Sequence, residues 1–329
     1  MKIFITGATG YIGNKLAMEA ALRGHQVHIL VRDKNSRWLP EHGNITAFGG
    51  DIEDRHSIVT AMRGCEAVFH LAAVVKFSSS DRSIFYNVNV EGTRNMLDAA
   101  MELNVRKFLF TSSGAVMGPS AKFPLSEDDP RIASFENDYE ISKYWAEQLV
   151  KKYSDAGLDA VIVSPTGVYG PGLPTESNVF RGWITALLSY RVAFLPGNGE
   201  RIRNFAYVDD VVNGHFLALE KGRRGEKYIL GGENISYNTL VEIVRRIAGK
   251  KIYRIHSPVR LLKAWAAVHQ LIHRIIGRPT HISPALIQRL MVDRALSCSK
   301  AIDQLGYSVT SIEEGMRHTI ATLTNNRYA

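Results

Sequence analysis

Cysteine is almost missing from this chain. Cys65 and Cys298 are the only two in 329 residues, and they stand far apart. That excludes a disulfide framework and any metal site built on cysteine spacing. Both read as inert core thiols in a reducing, cytoplasmic setting, and no metal is expected. Long apolar runs are missing too. No stretch of 18 apolar residues exists, so no membrane-spanning helix is expected. The first residues read as a strand, so no signal peptide is expected either. No nucleic-acid motif appears. Acidic residues become scarce only late in the chain. Residues 1–220 hold 22 Lys+Arg against 25 Asp+Glu, whereas residues 221–329 hold 18 against 7. A basic third of this kind is either a solvated face or a surface for an anionic partner. The apolar content of 45% and charged content of 22% suit a globular enzyme, with length for one large domain and a smaller one.

What is present begins at once. Residues 2–6 form a short β-branched apolar run, which predicts a buried strand. Gly7, Gly10 and Gly13 follow, then helical periodicity to about Arg23, then a second strand over residues 26–31. Strand, glycine turn, helix, strand is the βαβ unit of a dinucleotide site. Gly7 makes the tight turn, Gly10 lets the backbone approach a pyrophosphate, and Gly13 lets the helix pack near the strand. The free N–H groups at the helix start attract the diphosphate. Thr9, Tyr11 and Ile12 fill the same turn. Arg32 ends the second strand, where an acid binds the ribose of NAD and an arginine suits the extra phosphate of NADP. Asp33 beside it blurs that signal. NADP(H) is favoured over NAD(H).

The chain goes on as alternating strands and helices. A third strand over residues 45–48 runs into Asp51 and Ile52. Asp51 stands where an adenine would lie, or else caps the helix over residues 54–62. Residues 66–73 predict a fourth strand ending in Leu71, Ala72 and Ala73, small enough to leave room for a cofactor. His70 reads as a core histidine. Residues 83–103 predict one long helix, in which Asn89 is a candidate for ordering a water or contacting substrate. Residues 106–111 predict a fifth strand with Ser112 and Ser113 at its carboxyl end, the edge where ligands bind in an open α/β sheet. Tyr139 and Lys143, four apart at the start of a helix to about Asp155, share one face.

These residues together resemble the extended short-chain dehydrogenases/reductases, close to the dihydroflavonol-reductase-like and 3β-hydroxysteroid-dehydrogenase-like branches. The matching stretches are residues 6–13, 51–52, 70–73, 87–93, 111–113, Tyr139 with Lys143, 164–171 and 207–210. The resemblance covers residues 1 to about 240, and more loosely 299–315. It implies Ser113, Tyr139 and Lys143 as catalytic residues and Pro165, Thr166 and Val168 as a loop beside the nicotinamide. Ser112, Tyr139 and Lys143 join the cofactor contacts. Lysine and cofactor charge would lower the Tyr139 pKa so that the phenol passes a proton while hydride moves.

The expected fold is α/β, a Rossmann-type doubly wound parallel sheet with a smaller, mostly helical substrate domain. Residues 1–170 form the first part, with 205–235 partly returning to it, and 171–329 form the interleaved second. The expected activity is hydride transfer between nicotinamide and a carbonyl or secondary alcohol. A nucleotide-sugar epimerase with tightly bound NAD is the enzyme alternative, because residues 203–209 resemble the segment placing an arginine on a diphosphate. A dinucleotide sensor or assembly factor is the non-enzyme alternative. Asn178 and Arg203 are further substrate candidates. Residues 194–204 read as a loop. Residues 259–276 are amphipathic and basic, either packed on their own domain or lying on an anionic membrane as a flap over a lipid-like substrate. The partner expected is a small molecule, anionic or lipid-like, with peripheral membrane contact and a homodimer both open.

Overall fold

A computed structural model gives the fold for residues 1–75, 81–120, 124–277, 280 and 283–325. The strands are β1 (Lys2–Thr6), β2 (Gln26–Val31), β3 (Ile45–Gly49), β4 (Ala67–His70), β5 (Lys107–Thr111), β6 (Ala160–Pro165), β7 (Gly167–Tyr169), β8 (Val192–Pro196), β9 (Ile202–Tyr207), β10 (Lys227–Leu230), β11 (Glu233–Ser236) and β12 (Tyr253–Ser257). The α-helices are α1 (Tyr11–Leu22), α2 (Arg55–Met62), α3 (Ser83–Tyr86), α4 (Gly92–Glu102), α5 (Asp138–Asp155), α6 (Val179–Tyr190), α7 (Val208–Lys221), α8 (Tyr237–Ala248), α9 (Val259–Ile275), α10 (Pro284–Leu290), α11 (Ser299–Leu305) and α12 (Ile312–Thr324).

Seven strands make one parallel sheet in the order β10-β6-β5-β4-β1-β2-β3. Strands β1, β4 and β6 are apolar on both faces because helices cover both, as all-parallel sheets require. One face packs Leu16, Ala17 and Ala20 of α1 with Phe216 of α7. The other packs Ile58 of α2, Met96 and Leu97 of α4, and Ala146 and Val150 of α5. Strand order reverses around β1, so the carboxyl ends of β1 and β4 open a crevice there. This is a Rossmann-like fold.

Three details depart from the sequence expectation. Residues 194–204 are not a loop: β8 and β9 occupy most of them, and Gly197 and Gly199 form only the turn between. The part outside the large sheet therefore holds a three-stranded sheet β11-β9-β7 and a two-stranded sheet β12-β8 beside its helices. The long helix expected over residues 83–103 is interrupted by a π-turn over Asn87–Glu91. The strand expected over residues 66–73 stops at His70, and residues 71–73 run on without ladder pairing.

Candidate active site

The carboxyl ends of β1, β4, β5 and β6 border a cleft of about 840 Å³, within the ordinary range for a small-molecule site. Every residue offered above for the cofactor lines it, from Gly7 to Val168. The backbone at the glycine end fits a dinucleotide. Gly7 has φ +78, which glycine adopts without strain. A Cβ on Gly13 would stand 2.2 Å from the Gly7 carbonyl oxygen, so only glycine lets α1 start this close to β1. No side chain caps the start of α1 at Gly10, leaving its N–H groups to an anion. Arg32 lines the cleft in an exposed position. The Asp33 carboxylate accepts from the Asn35 N–H at 2.8 Å, closing its own turn. Asp51 lines the cleft, and the cap of α2 is Asp54, which accepts from His56 N–H. Two hydroxyls of the cofactor set are already engaged: Tyr11 donates to the Gly170 carbonyl at 3.0 Å, and Ser112 to Glu147 at 2.5 Å.

Farther along the cleft the structure brings Ser113, Tyr139 and Lys143 together. Asn137 caps α5 by accepting from Glu140 N–H, which fixes Tyr139 in the first turn. The Ser113 hydroxyl accepts from Ala115 N–H at 3.2 Å and lines the cleft beside the Tyr139 phenol. Burial pushes the Tyr139 phenol above its usual pKa, while the neighbouring Ser113 hydroxyl and the Arg289 cation pull it back. Lys143 is 2% exposed. Its ammonium donates to the Thr111 carbonyl at 2.7 Å and lies 4.0 Å above the Phe110 ring. Burial pushes Lys143 down to about 7, against the pull of Glu147. The expected lowering of the Tyr139 pKa by Lys143 is therefore corrected. The ammonium is held by Thr111, and the cation acting on the phenol is Arg289.

Two substrate candidates do not reach the cleft. Asn89 is fully buried; its side chain accepts from Val74 N–H at 2.7 Å and donates to the Val74 carbonyl and to Ser142. It pins the segment after β4 to α5. Asn178 is the cap of α6, accepting from Arg181 N–H and donating to the Leu173 carbonyl. Arg203 does line the cleft, with one guanidinium nitrogen donating to the Arg289 carbonyl. His70 is the core histidine expected, bonded to Thr6 and Thr93.

A family model described as the NAD dependent epimerase/dehydratase family matches residues 3–231. The chain belongs to that family. Among curated relatives, sterol demethylase protein B of Methylococcus capsulatus is 31% identical over 276 residues, covering 83% of each chain. The 3-beta-hydroxysteroid dehydrogenase of Mycolicibacterium neoaurum is 27% identical over 340 residues, covering 98% of this chain and 92% of that one. Among solved structures, gox2253 matches with a TM-score of 0.81 and 32% identity over 99% of each chain. An NAD(P)-dependent enzyme of the extended short-chain dehydrogenase/reductase type follows, with a nicotinamide dinucleotide as cofactor.

Family membership leaves the far wall of the cleft to this chain's own residues, and there sequence reasoning missed three. Arg289, Arg294 and Glu140 meet beside Tyr139. Glu140 has 0% side-chain exposure and accepts from Arg131 at 2.7 Å, Arg289 at 2.5 Å and Arg294 at 3.2 Å. Glu136 adds a second carboxylate, 2.7 Å from Arg294. Burial first, and then the Arg294 charge, hold the Arg289 guanidinium below its usual pKa. Nε and Nη1 of Arg294, and Nε of Arg203, are buried without a hydrogen-bond partner. Asn204 was missed as well. Its amide accepts from Thr166 at 2.7 Å and Gly232 N–H at 2.8 Å, and donates to the carbonyls of Gly232 and Leu296, tying the cofactor loop to the substrate side. The one signal for Glu140 was its place next to Tyr139; nothing near Arg289 or Arg294 in sequence marks them.

Proposed function

We propose that this enzyme is an NADP(H)-dependent dehydrogenase/reductase that interconverts a secondary alcohol and its ketone, using Tyr139 to move the proton. The observation that carries the reading is the placement of Ser113 beside a buried Tyr139 inside the cleft that begins at the glycine turn. Ser113 and Tyr139 converge on one substrate oxygen: Ser113 orients it, and Tyr139 gives or takes its proton. Arg289, the cation acting on the phenol, supports a change of charge there. When bound, a nicotinamide dinucleotide supplies the hydride donor or acceptor. Arg32 selects the phosphate-bearing form, because Asp33 has turned its carboxylate to Asn35 and leaves Arg32 to the cleft.

The substrate we infer is apolar with an anionic substituent. Phe180, Trp183, Phe194, Leu286 and Leu290 line the substrate end. Among them, Arg294 is only 6% exposed yet keeps two nitrogens without partners. Burying unpaired donors of a charged group is costly, and a carboxylate or phosphate on the substrate offsets that cost. The names of the two curated relatives support a steroid-like skeleton.

The test is NADPH-linked turnover of 3-keto and 3-hydroxy steroids, with and without a carboxylate, by wild type and Tyr139→Phe. Loss of one oxygen should lower turnover by roughly 10²- to 10⁴-fold with NADPH affinity unchanged. Near-normal turnover in the variant ends the mechanism. The epimerase reading has one observation in its favour, Arg203 in the cleft wall. It would gain if the protein purified with tightly held NAD that NADP could not displace.

A further inference from the structure

Helix α9 is built inside out. Leu261, Trp265, Val268, Ile272 and Ile275 recur at spacings of three and four, which puts them on one stripe. Each is at least half exposed, Ile275 at 76%. Ala266 is the one residue of α9 that is buried, and its helical position is opposite the stripe. On its other side α9 packs against α10, where Lys263 bonds Gln288. The apolar face of a 17-residue helix therefore points away from the protein, over a length of roughly 25 Å. A patch of this extent marks a surface that something covers.

Two occupants would suit an apolar stripe, a second copy of this chain or a lipid surface. The charge around it decides. Between Glu242 and Asp293 lie ten Lys and Arg residues and no acid. Within α9 itself, Arg260 and Arg274 lie to one side of the stripe, farther round the helix. A two-fold pairing of copies through this face would set like charges against like, with no carboxylate in the segment to answer them. An anionic bilayer answers both features at once, the apolar stripe in the acyl boundary and the cations against the headgroups. Among the described residues no helix is long and apolar enough to cross a membrane, so the contact is with the surface.

We propose that α9 docks this enzyme on an anionic membrane surface. Behind α9, α10 leads to the site. Leu286 and Leu290 of α10 line the cleft, and so does Phe194, which is 66% exposed beside Ile255 across the β8–β12 pair. Helix α10 thus lies between the apolar lip of the cleft and α9. That second step, substrate entering from the bilayer, rests on the apolar-substrate reading above; the docking does not.

The experiment is sedimentation of the full chain with vesicles of phosphatidylcholine alone and of phosphatidylcholine mixed with phosphatidylglycerol, at low and high salt. Binding should appear with the mixed vesicles, weaken steeply in high salt, and fall on the order of 100-fold or more in the variant Leu261→Ser/Trp265→Ser/Ile272→Ser. These residues lie on the outer face, so NADPH affinity of the variant, measured in parallel, should equal that of wild type and shows that the chain is folded. Failure of the cofactor reading would appear in that second measurement alone. Absence of binding to either vesicle at low salt overturns the proposal. So does a salt-resistant dimer in solution that the triple variant dissociates, because the second copy is then the occupant.

Discussion

Helix α4 buries Met96, Leu97, Ala99 and Ala100 against the seven-stranded sheet, whereas the longer α9 buries only Ala266. Both are amphipathic in sequence. The difference lies in what each is given to cover. α4 follows a strand, crosses one face of a parallel sheet and returns, so its apolar side meets β4 and α2. α9 follows β12 of a two-stranded sheet and packs chiefly on α10. Periodicity says that a face will be covered; the surrounding charge says by what. The nucleotide half has nearly balanced charges and closes on itself. The basic third has an excess of cations and keeps its apolar stripe outside.

The sharpest way to break this comparison is to cut one side chain in each half. Leu109 in β5 has 0% exposure and sits in the core under α1 and α7. Leu109→Ala should lower unfolding free energy by about 2–5 kcal/mol, measured by urea denaturation. Ile272→Ser on α9 should change it by no more than about 0.5 kcal/mol, as for a surface position. A large loss in the Ile272 variant would mean that the stripe is core after all, and the contrast between the halves would fail.

The same contrast governed what could be read from the sequence. The strands and helices up to α5 stood out because each buries a regular face, with period two or 3.6, on a neighbour close in sequence order. The glycine turn was legible because three glycines have no other common reason to sit between a strand and a helix. The sites that escaped are those where the partner is far away in the chain. Glu140 is paired by Arg289 and Arg294, some 150 residues later, and no local pattern announces such a contact. Asn89 and Asn178 were misplaced for a related reason. A polar residue near a site reads as a ligand-binding group, yet both were needed to satisfy nearby backbone. β8 and β9 were missed because two glycines outweighed the short apolar runs on either side.

A smaller effect tests the nucleotide half where it meets its cofactor. Arg32→Asp should weaken NADP binding by on the order of 10- to 100-fold and leave NAD binding nearly unchanged. Titrating both cofactors against wild type and variant by fluorescence is enough. Equal losses for the two would show that Arg32 only supports the strand end, and the preference for NADP would go with it.

A last effect, small over the mildly acid range, is a pH dependence rooted in His70, beneath the glycine turn. His70 is wholly buried between two threonines, Nδ1 at 2.7 Å from Thr6 Oγ1 and Nε2 at 3.0 Å from Thr93 Oγ1. Thr93 donates its own proton to the Asn89 carbonyl, so it can only accept from His70, and Nε2 carries the hydrogen. Thr6 accepts from Ala72 N–H, which leaves its proton for Nδ1. The neutral ring is thus satisfied on both sides, and a proton on Nδ1 would leave Thr6 with its donor unused. Burial, aided by the Lys143 charge, pushes His70 down to about 3. In the unfolded chain the ring titrates near 6.5. Between those values the unfolded state binds the extra proton and the folded state does not, so stability rises with pH across the window. The contribution is whole above 6.5 and is lost as pH falls toward 3, by up to about 1.4 kcal/mol per pH unit. His215, held at about 4 by burial, adds a second loss in the same direction. Urea unfolding of wild type and His70→Leu at pH 7 and at mildly acid pH isolates the first. The variant is less stable at pH 7, because Thr6 and Thr93 lose a partner, but its stability should fall less on acidification. Parallel declines would mean that the folded ring takes up its proton as readily as the unfolded one, with Nδ1 then donating to Thr6 Oγ1.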